Sequence, residues 1–143
     1  MKIIRLARET KSSIKFKRKE WEFIHPEHYG VKMDWNYWDR EELVLKAVEK
    51  GKIIGVLVGD TLAGILDVGE LIIDHTKREN GVGKKLMQEA LSWAKGKKAH
   101  RTYLITGKDW KAIGFYKSLG FKITAELPNY YSKTDFVIMT KPL

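Results

Sequence analysis

The chain has 143 residues, enough for one domain with a core of useful size, and a single domain over 1–143 is expected. Hydrophobic residues make up 43% and charged residues 31%, a soluble globular balance; no run approaches the roughly 20 apolar residues of a membrane span, and the N-terminal apolar stretch is too short for a signal peptide. There is no cysteine, hence no disulfide framework and no thiolate chemistry; a cytoplasmic protein with no membrane partner is expected. The net charge of +9 favours anionic partners such as phosphates, nucleotides or nucleic acid.

Residues 2–7, "KIIRLA", read as a first strand. In "SSIKFKRKEWEFI", Ile14, Trp21 and Ile24 fall at helical spacing, with Ser12 or Ser13 as N-cap and Pro26 as the stop. The aromatic-rich segment that follows has no clear period and reads as a loop. Three strands come next, at 43–49, 52–62 and 65–74. Lys50-Gly51 signals a hairpin, and Ala63-Gly64 signals a second turn. Val82, Leu86, Ala90, Leu91 and Ala94 then mark a helix that Gly96 ends. "RTYLIT" (101–106) is a strand. "DWKAIGFYKSL" (109–119) is a helix capped by Asp109 and closed by Gly120. "FKITAEL" and "DFVIMTK" are the final strands. The order predicts an α/β (α+β) fold with a mixed sheet.

Chemistry concentrates at "RENGVGKKL", residues 78–86. A helix start leaves backbone N–H groups unpaired and carries positive partial charge. Gly81 and Gly83 would let an anion approach them closely, and Arg78, Lys84 and Lys85 add charge. A dinucleotide fingerprint fails, because Leu86 stands where a third glycine is needed. A P-loop fails too: Arg78 occupies the first glycine position and Lys85 the Ser/Thr position. Taken alone, the two glycines would be an ordinary turn entering a helix.

They do not stand alone. Arg78-x-x-Gly81-x-Gly83, between a strand and a long helix, resembles motif A of the GNAT superfamily of acetyl-CoA-dependent N-acetyltransferases. "AIGFYKSLGF" (112–121) resembles that family's second signature. "LPNYYSKTDFVIM" (127–139) is similar to a segment of its protein N-terminal acetyltransferases. The resemblance implies a mostly antiparallel sheet of six to seven strands, splayed at the cofactor strand, with helices on both faces. It also implies acetyl-CoA as acyl donor and an amine-bearing acceptor: a small amine, a lysine or a peptide N-terminus.

Carried over residue by residue, the resemblance makes Arg78, Glu79, Asn80, Gly81, Val82, Gly83 and Lys84 the pyrophosphate site. It makes Leu71, Ile72 and Ile73 the edge that pairs with the pantetheine arm. Tyr116 would lie by the thioester sulfur and protonate the leaving thiolate. Asp109 stands where the family often has asparagine at a cofactor contact. Trp35 and Trp38 would wall the acceptor pocket, and Tyr130 and Tyr131 would help hold the acceptor. Leu104 stands where the N-terminal acetyltransferases often carry glutamate.

For the general base, Glu70 ranks ahead of Asp67; strict alternation would put the two on opposite faces of their strand. His25, His28 and His75 are further candidates. They show no metal-ligand spacing, and no metal is expected. Two alternatives stay open: a non-catalytic acyl-CoA sensor, and a basic nucleic-acid-binding module built on Lys15–Lys19 and the tryptophans, which has no recognised motif. A homodimer is compatible with the sequence.

Overall fold

The computed structural model describes all of residues 1–143. The chain divides into two compact units, Met1–Asn36 and Tyr37–Leu143.

The first unit is built on one helix, α1 (Lys11–Tyr29). Its N-cap is Thr10, not Ser12 or Ser13. Thr10 Oγ1 accepts from the Ser13 amide at 3.2 Å, and Ser13 Oγ accepts from the Thr10 amide at 2.8 Å. Only that spacing satisfies two orphan amides reciprocally. Pro26 lies inside the helix instead of ending it. It removes one helical hydrogen bond, while its own carbonyl accepts from Gly30, whose left-handed φ of 73° closes the last turn. The expected strand at 2–7 does not form. Ile3, Ile4 and Leu6 are exposed, so that run lacks both a ladder partner and a surface on which to bury its apolar side.

The second unit is a six-stranded sheet in the order β1-β2-β3-β4-β6-β5. Its strands are β1 (Glu41–Glu49), β2 (Lys52–Leu62), β3 (Ile65–Ile73), β4 (Arg101–Gly107), β5 (Lys122–Leu127) and β6 (Phe136–Pro142). Two-residue turns join β1 to β2 and β2 to β3. Lys50, Gly51, Ala63 and Gly64 all take positive φ, the conformation that matches the right-handed strand twist. A side chain at Gly64 would also meet the His100 ring at 2.6 Å.

Every strand pairing is antiparallel except β3 with β4. Two helices make the crossovers, α2 (Val82–Gly96) from β3 to β4 and α3 (Ala112–Ser118) from β4 to β5. Successive right-handed crossovers in one direction place both helices on the same face. The core lies there. Leu57, Leu66, Leu104, Val137 and Met139 of the sheet meet Leu86, Met87, Ala90 and Ala94 of α2 and Tyr116 of α3. The alanines sit where the helix approaches the strands, and both are fully buried. Leu57 is fully buried in this layer, so Leu57→Ala should cost about 2–5 kcal/mol of unfolding free energy, measured by urea denaturation.

Candidate active site

The parallel pairing of β3 and β4 is short. Ile65, Leu66 and Asp67 pair with Arg101, Thr102 and Tyr103, and then the strands part. From Val68 to Ile73, β3 has no neighbour on its β4 side; from Leu104 to Gly107, β4 has none on its β3 side. The result is a wedge bordered by two rows of unpaired backbone groups. A bulge accompanies it: Val58 faces Glu70 but Gly59 faces Val68, so Gly69 is the extra residue. Gly59 permits the close approach, since a Cβ there would sit 2.5 Å from the Asp67 carbonyl.

The bulge corrects the expectation from alternation. Asp67 pairs with Asp60 and Glu70 with Val58, and Val58 and Asp60 share a face of β2. Asp67 and Glu70 therefore point the same way, away from α2. A cavity of about 220 Å³ opens on that face, lined by Arg40, Glu42, Val58, Gly59, Asp60, Gly69 and Glu70. Arg40 forms an ion pair with Asp60, which raises the guanidinium pKa further. Tyr103, absent from the sequence-based candidates, donates its hydroxyl to Asp67 Oδ2 at 2.9 Å. Partial burial and then this hydrogen bond push its pKa up to about 12. Glu42 and Glu70 form no ion pair.

At the open end of the wedge, β3 leads into the loop 74–81. The Asp74 carboxylate accepts from the Thr76 amide and hydroxyl at 2.8 and 2.7 Å, which holds its pKa below the usual range. Glu79 and Gly81 take positive φ, and Gly81 is the N-cap of α2. The first intrahelical bond runs from the Lys85 amide to the Gly81 carbonyl, so the amides of Val82, Gly83 and Lys84 project from the helix end. Lys77 is neutralised by Glu49 at 2.6 Å, whereas Arg78, Lys84 and Lys85 have no carboxylate partner. Gly83 lies against α3: a Cβ there would meet the Phe115 ring at 3.2 Å. A second groove, about 430 Å³, runs between Ile53–Val56 and Ile72–Arg78 on the β2 side of β3.

Tyr116 is buried beneath the wedge, with edge-to-face contacts to Phe115 and Phe121 at 5.2 and 5.9 Å. Its hydroxyl has no hydrogen-bond partner in the chain, and burial raises its pKa. The turn after α3 explains the "SLGF" signature. Gly120 takes φ 92°, its amide bonds the Lys117 carbonyl, and the Phe121 amide bonds the Tyr116 carbonyl. This is a Schellman closure with its characteristic apolar contact, and it fixes the Tyr116 backbone. Asp109 does not cap this helix. The N-cap is Lys111, and Asp109 lies two residues earlier in the turn after β4. That turn is set by Trp110, whose indole covers Gly107 so tightly that a Cβ would fall 2.3 Å from it.

Tyr130 and Tyr131 form an aromatic cluster with Trp110 and Phe136, two residues not singled out from the sequence. Trp35 lies in the first unit, its indole N–H bonded to Glu22 at 2.9 Å and its ring beneath Arg18. Trp38 packs edge-on against Tyr37. His25 is buried in the first unit, donating from Nδ1 to the Val31 carbonyl at 2.7 Å. His75 is exposed beside Asp74.

The model of the acetyltransferase (GNAT) family matches residues 9–121, and the chain belongs to that family. It is 41% identical over 54 residues to peptidyl-lysine N-acetyltransferase YjaB of Salmonella typhimurium (38% of this chain, 34% of that one). It is 30% identical over 82 residues to blasticidin-S acetyltransferase of Streptomyces morookaense (57% and 60%). The matches thus span about a third and three fifths of those relatives. Among solved structures, an acetyltransferase from Bacillus cereus aligns over 98% of both chains with a TM-score of 0.72 at 20% identity. Ard1 from Thermoplasma volcanium aligns over 66% of both with a TM-score of 0.63 at 32% identity. The chain shares the mixed α/β architecture of those solved structures. No helix is long and apolar enough to cross a membrane.

The Tyr103 environment has a direct optical consequence. Subtracting the alkaline ultraviolet titration of Tyr103→Phe from that of the wild type should leave one phenolate appearing near pH 12 instead of near pH 10.

Proposed function

We propose that the protein transfers an acetyl group from acetyl-CoA to a primary amine by direct attack in a ternary complex. The observation that carries this reading is the unpaired β3 edge from Val68 to Ile73, running into a helix start whose nearby Arg78 and Lys84 lack partners. These residues fit coenzyme A. Pantetheine carries amides that pair with a free strand edge as a guest strand would. The pyrophosphate matches the amides of Val82, Gly83 and Lys84, with Arg78 and Lys84 balancing its charge.

Bound there, acetyl-CoA supplies an activated thioester. The acceptor amine reaches it from the cavity on the face away from α2. Glu70 takes the proton that frees the amine lone pair, directly or through one water. Nitrogen attacks the carbonyl carbon, the carbon–sulfur bond breaks, and Tyr116 gives its proton to the departing sulfur. The second proton that the nitrogen sheds on becoming an amide restores the Tyr116 phenol, while Glu70 returns its proton to solvent. The raised pKa of Tyr116 suits a donor that must be protonated at the start of each turnover. Acidic Glu42 and Glu70 at the cavity suit a cationic acceptor, such as a lysine side chain or a polyamine. Tyr130 and Tyr131 offer aromatic surface to the acceptor, and Trp38 is placed in the same role.

Isothermal titration with acetyl-CoA should show saturable binding; absence of heat up to millimolar concentration would remove the proposal. In a thiol-release assay across amines, peptides and aminoglycosides, Tyr116→Phe should lower kcat by roughly 10²–10⁴-fold with acetyl-CoA binding retained. A sensor would release no thiol in either protein. Glu70→Gln should lose activity mainly near neutral pH and recover it as pH rises, because the acceptor amine is then already neutral. A defect independent of pH would assign the base elsewhere.

A further inference from the structure

The wedge between β3 and β4 has a floor. The last paired position is Asp67 opposite Tyr103, and there the two side chains are joined across the strands by the 2.9 Å hydrogen bond from the Tyr103 hydroxyl. On the α2 side the same level is closed by Thr102, whose buried hydroxyl donates to the Leu66 carbonyl at 3.0 Å. Above it Val68 and Leu104 are buried in the core. The floor is also braced laterally. Asp60, the cross-strand neighbour of Asp67, is held by Arg40.

With a pyrophosphate at the start of α2 and the pantetheine arm along β3, as in the acetyl-CoA reading above, a tail beyond the thioester carbonyl would point toward this level. There it meets a carboxylate and a phenol already bonded to each other. A longer alkyl tail must either part them or desolvate Asp67 without replacing its hydrogen bond, and both are unfavourable. We infer that the Tyr103–Asp67 hydrogen bond is the floor of the thioester site and restricts the transferred group to acetyl. This rests on the acetyl-CoA reading above and adds a selectivity device to it. Opening one more strand pair would deepen the wedge by roughly 3.3 Å, about the reach of two or three methylenes. Tyr103 and Asp67 act here as specificity-determining residues, one on each strand.

Calorimetric titration of acetyl-CoA and butyryl-CoA into the wild type, Tyr103→Ala and Asp67→Ala tests this, with thermal melts to establish folding. The wild type should bind butyryl-CoA more weakly than acetyl-CoA, by roughly tenfold or more. Either variant should close that gap, and thiol-release rates with the two donors should converge in parallel. A structural role alone would weaken both thioesters equally. Equal affinity of the wild type for the two thioesters overturns the inference, even if neither variant folds. So does a gap that persists in a folded variant. In those cases acetyl-CoA still binds and only the floor is lost; if neither thioester binds any of the proteins, the acetyl-CoA reading falls as well.

Discussion

The separation of β3 from β4 after three residue pairs is the constraint on which the site depends. A sheet normally pairs its strands along their length, because unpaired backbone groups shielded from water are costly. Here the bulge at Gly69 reorients β3 while Val68 and Leu104 stay anchored in the core beneath α2. Beyond Asp67 and Tyr103 the two strands do not pair, and two rows of backbone donors and acceptors face each other unjoined. The same bulge turns Glu70 onto the face of Asp67, so one backbone irregularity lies beside the wedge and also sets the acidic wall of the cavity on that face.

The remaining parts are held by local chemistry that refers back to this wedge. Gly81 and Glu79 turn the chain from β3 into α2 and point the first helical amides outward. Gly83 is small because Phe115 of α3 packs against it. The Gly120-Phe121 closure then fixes Tyr116, which joins the core through its ring and leaves its hydroxyl unbonded. No buried side-chain polar atom lacks a partner, so the Tyr116 hydroxyl, which has none in the chain, is reached by solvent. Unpaired cations sit at the helix start and unpaired carboxylates at the cavity. In a chain of net charge +9, the unpaired positive and negative side chains thus lie on distinct elements.

Much of this was legible in advance because it rests on short-range patterns. The strand at 52–62 and the helix Val82–Gly96 follow from side-chain periodicity, and both hairpin turns from Lys50-Gly51 and Ala63-Gly64. The paired glycine and "GFYKSLGF" signatures led to the family. The failures are equally instructive. "KIIRLA" has strand composition but no partner strand. Asp109 has the right chemistry for a cap, yet the Trp110–Gly107 packing delays the helix to Ala112.

The sequence by itself determined the order of elements from the second expected strand onward and the family, because these depend on propensity and on spacing within one segment. Only the tertiary structure decided which side chains meet. Asp67 and Glu70 share a face because a bulge, defined by pairing with β2, adds one residue to the alternation. Tyr103 joins Asp67 across 36 residues of chain because a parallel crossover brings their strands level. Such contacts are fixed by strand register, a property of two segments together that neither encodes alone.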